Sequence, residues 1–566
     1  MDIGGHSLKL AQLAGVITGR NPAVDVSVKD LLADTSLVGM ARVVEMNIED
    51  SPSITLMRKA WREVLQIRDD TKIASTEDFM DIGGHSLKLA QLAGVITAMN
   101  PSIEIPVKDL LADTTLMGMA RAVNVGSVEK LTKVVEKEFI NLPLEASLET
   151  SIYPAASRKG GMSRFRMAMS RFSPRRILLT GGTGYLGAFI LYNLAVIQNK
   201  PTYALVRAKD ADAGRGRLVS TLRKYGLLKP EGQEDDDEDL EMLQSFVVPV
   251  CGDLQKPLLG MESEVFKVVA GSVDAVIHCA ADVNLFKNYQ DLKKTNVLGT
   301  QECLRITVEN GLMGDLGSSF AHTKAFIHIS SNGVFPSNFR GIRGEDIDLN
   351  DDDIWKSYHD GYGQSKWVAE KMVHEAGNRG VPIMILRPGN MAADSKTGVW
   401  NADDFYSLFL RAVIELGVSP VLDEMDELGW EMDLTPVDWA AEMIVKMACE
   451  KMHNGLGSAV HIQNGATPVP MSKVMKMLKT VGFKIGDGVP MSDWVTMVDK
   501  KAAEGESEVC GKVCVAMDSF AAYFATGKGG NFSSAKLGLI FGGSANCPSV
   551  DAAYLKKALG WLGVAP

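Results

Sequence analysis

Tyr362 and Lys366 stand four residues apart in the stretch Tyr362-Gly363-Gln364-Ser365-Lys366. On a helix that spacing puts both side chains on one face, one turn apart. A phenol alone ionises near pH 10 and exchanges protons poorly at neutrality. A neighbouring ammonium favours the phenolate, so Lys366 is expected to pull the pKa of Tyr362 down. About 30 residues upstream, Ser330-Ser331-Asn332-Gly333-Val334 follows an apolar run. The Ser331 hydroxyl can hydrogen-bond the same carbonyl oxygen that Tyr362 serves. Ser331, Tyr362 and Lys366 are therefore the expected catalytic set for a reaction at a carbonyl group. A Tyr-x-x-x-Lys alone is common; its weight here comes from what precedes it.

Those residues need a frame. The run Ile177-Leu178-Leu179-Thr180 ends in Gly181-Gly182-Thr183-Gly184-Tyr185-Leu186-Gly187, and a helical pattern follows from residue 186 to about 199. Gly181 permits a tight turn, Gly184 lets the backbone approach a pyrophosphate, and Gly187 lets helix and strand pack. The helix N-terminus offers free N–H groups and a favourable dipole to phosphates. Thr183, Tyr185 and Leu186 belong to the same expected cofactor-binding turn. Further apolar runs, at 176–180, 202–207, 245–250, 275–278, 325–329 and 383–386, alternate with helical stretches. That rhythm predicts an α/β fold: a doubly wound parallel sheet of the dinucleotide-binding Rossmann kind, with ligands at the strand C-termini.

The strand ends refine the ligand. The second run closes on Arg207, where an NAD-binding chain would normally carry an acid for the ribose 2′-hydroxyl. An arginine suits a 2′-phosphate, with Arg217 as a second contact, so NADPH is the expected cofactor. Asp253 can accept from the adenine amino group, with Leu254 beside it. Ala280 and Ala281 leave room after the fourth run. Lys366 can also hold the nicotinamide ribose, and Pro388 lies in the Arg387-Pro388-Gly389 turn after the sixth.

The chain has 566 residues, room for two to four domains, with 46% apolar and 23% charged residues. Its net charge of −11 and the lack of a basic block argue against nucleic acid as a partner. The acidic run 234–239 reads as a solvated loop. Seven cysteines are scattered, and the closest pair, Cys510 and Cys514, has no metal-ligand partners near it. Reduced thiols, a cytoplasmic location and no metal site are expected. No apolar run reaches the ~18 residues of a membrane span and no signal peptide opens the sequence, so no membrane partner is expected.

A repeat opens the chain. Met1-Asp2-Ile3-Gly4-Gly5-His6-Ser7-Leu8 returns as Met80-Asp81-Ile82-Gly83-Gly84-His85-Ser86-Leu87, an offset of 79 that persists through Leu31-Leu32-Ala33-Asp34-Thr35 and Leu110-Leu111-Ala112-Asp113-Thr114. The second copy has a helix in front, at 54–67, with apolar Leu56, Ala60, Trp61, Val64 and Leu65. Gly83-Gly84 predicts a tight turn and Ser86 a place at a helix start. The Asp81-x-Gly83-Gly84-His85-Ser86-Leu87 motif behind that helix closely resembles the peptidyl and acyl carrier proteins of modular synthetases, over about residues 53–125. The resemblance implies a phosphopantetheine arm on Ser86, and on Ser7 if residues 1–48, a truncated first carrier, can fold. Residues 126–172 read as a flexible linker.

From Arg175 to about residue 500 the chain resembles the extended short-chain dehydrogenase/reductases, and among them the thioester reductase domains of nonribosomal peptide synthetases, α-aminoadipate reductases and carboxylic acid reductases. The resemblance rests on the glycine turn, Leu205-Val206-Arg207, Gly252-Asp253-Leu254, Asn296-Val297-Leu298-Gly299-Thr300, Tyr362–Lys366, Asp433-Leu434-Thr435-Pro436-Val437-Asp438 and His461-Ile462-Gln463-Asn464. It implies a reductase over 173–566, with a Rossmann core to about 398 and a smaller substrate lobe after it, behind an all-α carrier bundle. It implies NADPH-dependent reduction of an acyl thioester on the chain's own carrier to an aldehyde, or on to an alcohol. It also implies a phosphopantetheinyl transferase and an upstream adenylating or synthetase module as partners. Competing readings are a sugar-nucleotide epimerase or dehydratase, which uses the same Ser, Tyr and Lys, and a non-redox release or scaffold domain. Residues 510–566 match the pattern poorly and are expected to finish the substrate lobe.

Overall fold

The computed structural model describes residues 52–65, 67, 73–82, 84, 86–99, 110–111, 113–120, 122, 140–153, 173–230, 232, 238–284, 287–309, 324–336, 342–349, 352–358, 360–421, 431–464, 469–514 and 532–566. The chain divides into one unit of residues 1–139 with 495–517 and another of residues 140–494 with 518–566. The first repeat, with Ser7, lies outside the described residues.

In the smaller unit, helix α1 is Pro52–Leu65 and helix α2 is Ser86–Met99. Ile54, Met57, Trp61 and Val64 of α1, and Leu89, Leu92 and Ile96 of α2, recur every three or four residues and are all buried. This is the one-sided stripe of a packed helix. The Trp61 ring meets Phe79 edge-on at 5.1 Å. The N–H of Gly84 donates to the Phe79 carbonyl at 2.8 Å. A Cβ at position 84 would overlap the Phe79 ring, so the turn before α2 requires glycine. Ser86 is the first residue of α2.

The larger unit is built on seven parallel strands: β1 Ile177–Thr180, β2 Thr202–Val206, β3 Val247–Cys251, β4 Ala275–His278, β5 Ala325–Ile329, β6 Ile383–Pro388 and β7 Ala459–Ile462. Their order is β3-β2-β1-β4-β5-β6-β7, so it reverses between β1 and β4. Successive side chains go to opposite faces. Leu179, Ile277, Ile327 and Leu386 enter one core with helix α3 (Tyr185–Tyr192). Leu178, Val276, Phe326 and Ile385 enter the other with α5 (Gly299–Val308) and α6 (Gly361–Asn378). Helix α4 (Ala211–Lys224) follows β2, while α7 (Val437–Cys449) completes the first face. Both faces are covered, which is why the strands read as continuous apolar runs.

Four differences from the expectation have physical reasons. β3 begins at Val247 because residues 245–246 end the preceding helix, Glu238–Phe246. Two residues of the acidic run lie in that helix, and Asp239 accepts from the Tyr192 hydroxyl at 2.7 Å rather than facing solvent alone. β7 is absent from the strands expected from the apolar runs; it is four residues long and carries a buried polar residue, His461. Helix α8, Ala535–Phe541, flanks it: Leu537 joins the sheet's core, and Lys536 Nζ donates to the Ala459 carbonyl at 3.1 Å. Part of the expected substrate lobe thus finishes the sheet's flank.

The expected linker also contributes to this unit. Leu142, Leu148 and Ile152 are buried in the second core. Arg379, just past α6, donates to the carbonyls of Leu148 (2.9 Å), Glu149 (2.6 Å) and Ile152 (3.1 Å). Glu149 pairs with Arg305 at 2.8 Å, and Glu145 with Lys293 at 2.7 Å. Residues 140–153 are therefore a strap laid on the sheet's helices, not a tether; 126–139 and 154–172 fall outside the described residues.

Candidate active site

A parallel sheet sets all its strand C-termini on one edge, and a reversal of strand order opens a crevice there. The crevice lies between β1 and β4. Gly181, the first residue past β1, has φ +81°, and a Cβ on it would come 2.7 Å from the Ala280 nitrogen. A Cβ on Gly187 would overlap the Gly181 carbonyl. Gly184 caps α3 with extended backbone and, as glycine, has no side chain of its own to take the first-turn N–H groups. Thr183 is half-buried beside them. Tyr185 donates its hydroxyl to the carbonyls of Ala392 (2.9 Å) and Val399 (2.8 Å). What Tyr185 and Leu186 can offer a phosphate is therefore backbone N–H.

Arg207 follows β2 and is exposed; Arg217, exposed on α4, donates Nη1 to the Arg207 carbonyl at 2.9 Å. The two expected phosphate contacts are thus drawn to one place. Asp253, after β3, accepts from the Gln255 N–H at 3.1 Å, and buried Leu254 packs against Gly299 of α5. Ala280 donates its N–H to Thr180 Oγ1 at 3.2 Å, Ala281 is half-buried, and Pro388 closes β6 within the core. The glycine turn, the uncapped helix start and the two arginines suit a dinucleotide bearing an extra phosphate.

The chemistry-bearing side chains stand beside this crevice. Asp360 caps α6, accepting from the Gly363 N–H at 2.5 Å, and Tyr362 follows in the first turn. A Cβ on Gly361 would sit 2.5 Å from the backbone at Asn288, so the helix start is wedged against that chain. Lys366 is buried one turn on and donates to the Ile329 carbonyl at 2.9 Å. Burial brings its pKa down to about 8, against the opposing pull of Glu370 and Cys279. Ser331, after β5, accepts from the Gly333 N–H at 3.0 Å and donates to Asn332 Oδ1 at 3.3 Å; a Cβ on Gly333 would lie 3.3 Å from the Tyr362 ring and 3.4 Å from Ser331 Oγ, so the two side chains flank that glycine.

One expectation reverses here. Burial pushes the Tyr362 phenol up to about 12, the Ser331 hydrogen bond opposes this, and Asp360 and Cys279 add to it. The cost of burying a phenolate outweighs what Lys366 was expected to contribute. Tyr362 is therefore a phenol held protonated, a donor rather than a base.

Two supporting residues have no role assigned by the sequence. Asn296, buried, donates to Ser365 Oγ (2.9 Å) and the Asp282 carbonyl (2.9 Å) and accepts from the Asp282 N–H (2.8 Å). It ties α6 to the loop after β4. Asp433, also buried, accepts from Asn332 Nδ2 (3.2 Å), the Asn390 N–H (3.1 Å), Gln463 Nε2 (3.0 Å) and Thr435 Oγ1 (3.0 Å). Burial raises its carboxyl pKa despite those bonds. Both residues occur in stretches that carried the family resemblance, but no local pattern tells which side chains they gather.

Fold and site define a dinucleotide-binding domain of the Rossmann kind, preceded in the chain by a helical module. Residues 179–444 match the NAD-binding family described as Male sterility protein, and residues 55–123 match the phosphopantetheine attachment site family. The terminal R domain from the myxalamid PKS-NRPS biosynthetic pathway is 30% identical, with TM-score 0.62, covering 75% of this chain and 97% of that structure. The chain therefore belongs to the family of terminal reductase domains, joined here to a phosphopantetheine attachment domain. A thiolation-reductase di-domain from an archaeal non-ribosomal peptide synthetase shares the fold at 18% identity, TM-score 0.59, over 91% of this chain and 98% of that one. The glycine betaine reductase of Emericella nidulans is 30% identical over 458 residues, which is 79% of this chain and 32% of that protein. The chain spans 8% to 45% of the length of the curated relatives it matches. Among the described residues no helix is long and apolar enough to cross a membrane.

Proposed function

We propose that this chain is an NADPH-dependent thioester reductase that releases an acyl or peptidyl group, carried on a phosphopantetheine arm at Ser86, as an aldehyde. The observation that carries the reading is the presence, in one chain, of a phosphopantetheine attachment domain and an NAD-binding domain in which the Ser331 and Tyr362 side chains both flank Gly333. Gly181–Gly187, Arg207 and Arg217 would hold the cofactor, with Asp253, Leu254, Ala280, Ala281 and Pro388 around it. Bound there, NADPH supplies the hydride that the thioester carbonyl carbon accepts. Ser331 and Tyr362 donate to the carbonyl oxygen as its charge develops, which is where oxyanion donors lower the barrier. A phenol that stays protonated until that charge forms suits the task. Lys366 places an ammonium one turn behind Tyr362 and would hold the nicotinamide ribose. The hemithioacetal then breaks its C–S bond: the oxygen gives up its proton, the sulfur gains one, and aldehyde and free pantetheine thiol result.

The implied partners follow. The substrate is the thioester on the chain's own carrier, a phosphopantetheinyl transferase installs the arm, and an upstream adenylating or synthetase module supplies the acyl group. Ser7 is a second attachment point if its copy folds. The test uses the full chain, treated with transferase and CoA, loaded with an acyl group and given NADPH, following absorbance and product mass. One arm on Ser86 and aldehyde release are expected. Ser86→Ala should abolish the mass increase or leave one arm on Ser7. Modification that survives in the Ser7→Ala/Ser86→Ala double variant, or no NADPH oxidation on any loaded thioester, overturns the proposal.

A further inference from the structure

We propose that Ser330, Glu370 and Arg387 form a buried brace that positions the Ser331–Tyr362 donor pair, an inference that rests on the reductase reading above. Glu370 lies two turns beyond Tyr362 and one beyond Lys366, on the same face of α6. It is wholly buried, and so is Arg387 on β6, at 0% and 1% exposure. One carboxylate oxygen accepts from Ser330 Oγ (2.5 Å) and Arg387 Nε (3.2 Å); the other accepts from Arg387 Nη2 (2.5 Å). Ser330 is the chain neighbour of Ser331, and its own N–H donates to the Leu386 carbonyl at 2.7 Å. Arg387 reaches on to His461 Nε2 of β7 at 3.4 Å, and His461 donates Nδ1–H to the Ser533 carbonyl at 2.9 Å. The Arg387 guanidinium also lies 5.2 Å from the ring centre of Phe335, which ends the turn that begins at Ser331.

One carboxylate thus ties together the two segments that carry the donors. Ser331 hangs from the end of β5 and Tyr362 from the start of α6, and no hydrogen bond of regular secondary structure fixes one against the other. A buried ion pair is a poor way to add stability, since apolar residues of the same volume often do as well. Its directional bonds do fix a distance, and two hydroxyls that must converge on one oxygen need that. Glu370 and Ser330 are positioning residues in this scheme; neither touches the reacting atoms.

The brace also bears on Lys366. The charged and titratable groups that act on Lys366 or feel its charge are Glu370 on its own helix, Cys279 after β4, His278 on β4 and His328 on β5, with Tyr362 one turn back on α6. Burial holds both histidines neutral, His278 at about 3, and burial pushes the Cys279 thiol up to about 12 against the opposing pull of Lys366. Burial pushes Glu370 up, yet Arg387 beside it keeps its carboxyl well below the usual range. Glu370 is then the anion that favours the Lys366 ammonium.

The experiment compares the full-length holo-protein with its Ser330→Ala, Ser330→Thr and Glu370→Gln variants. Single-turnover reduction of the loaded thioester is measured across pH, with NADPH affinity and thermal midpoint alongside. Ser330→Ala removes the hydroxyl and leaves the ion pair. It should slow reduction about 10- to 100-fold, the scale expected for a misplacement of about 1 Å, with NADPH affinity unchanged. Ser330→Thr keeps the hydroxyl and should restore most of the rate. Glu370→Gln, where it folds, should move the alkaline loss of activity to lower pH. A Ser330→Ala rate within twofold of wild type overturns the brace while the reductase reading stands. A wild-type protein that reduces no thioester overturns both.

Discussion

Replacing Arg207 by alanine tests the cofactor site most directly. The side chain is exposed at the end of β2, so its contact with a 2′-phosphate forms in water and is screened by salt. A hydrogen bond to a charged group contributes about 1.5–3 kcal/mol, which is roughly 10- to 150-fold in affinity; exposure places Arg207 near the lower end. The substitution leaves the backbone intact, and it is the Arg207 carbonyl that receives Arg217 Nη1 at 2.9 Å. Arg217 should therefore keep its place, and the Arg207→Ala/Arg217→Ala double variant should lose more than the single one. The assay is fluorescence titration with NADPH and NADH at low and high ionic strength. NADPH affinity should fall about 10-fold while NADH affinity hardly changes, and the preference for NADPH should become less salt-dependent, with Arg217 carrying what remains. Equal losses for both cofactors would refute the assignment of Arg207 to the 2′-phosphate.

Three more expectations can be checked on the same protein. Tyr362→Phe keeps the ring but removes a donor to the oxyanion, so single-turnover reduction should slow on the order of 10²–10³-fold while NADPH still binds; near wild-type aldehyde formation excludes the catalytic assignment. The Lys366 ammonium is the working form and its pKa lies at about 8, so the pH–rate profile should fall as pH rises through about 8, and a rate flat to pH 10 would contradict it. Arg379→Ala strips three strap carbonyls of a donor and should destabilise the larger unit by about 2–3 kcal/mol in urea unfolding, at roughly 1 kcal/mol per bond; an unchanged midpoint would show that the strap is not held this way.

What the sequence determined by itself is what depends on near neighbours along the chain. A turn that needs φ +81° at Gly181 demands glycine whatever surrounds it, and the spacing to Gly184 and Gly187 is the pitch of one turn running into a helix. The four-residue step from Tyr362 to Lys366 fixes a shared helix face, and the order of apolar runs fixes a parallel sheet. The carrier motif is equally local: a glycine under Phe79 and a serine opening a helix. The tertiary structure decided what depends on burial and on distant partners. It raised the pKa of Tyr362 where a nearby lysine alone would have lowered it, because desolvation is a property of the whole environment. It made a strand of four residues that include a histidine, since β6 and α8 supply the partners. It drew residues 140–153 onto the helices through Arg379, more than 200 positions away. It joined Ser330, Glu370 and Arg387, which share no motif, at one carboxylate. Short-range sterics and helical pitch are written in spacing, whereas the electrostatics of a buried group is set by which distant segments exclude water from it.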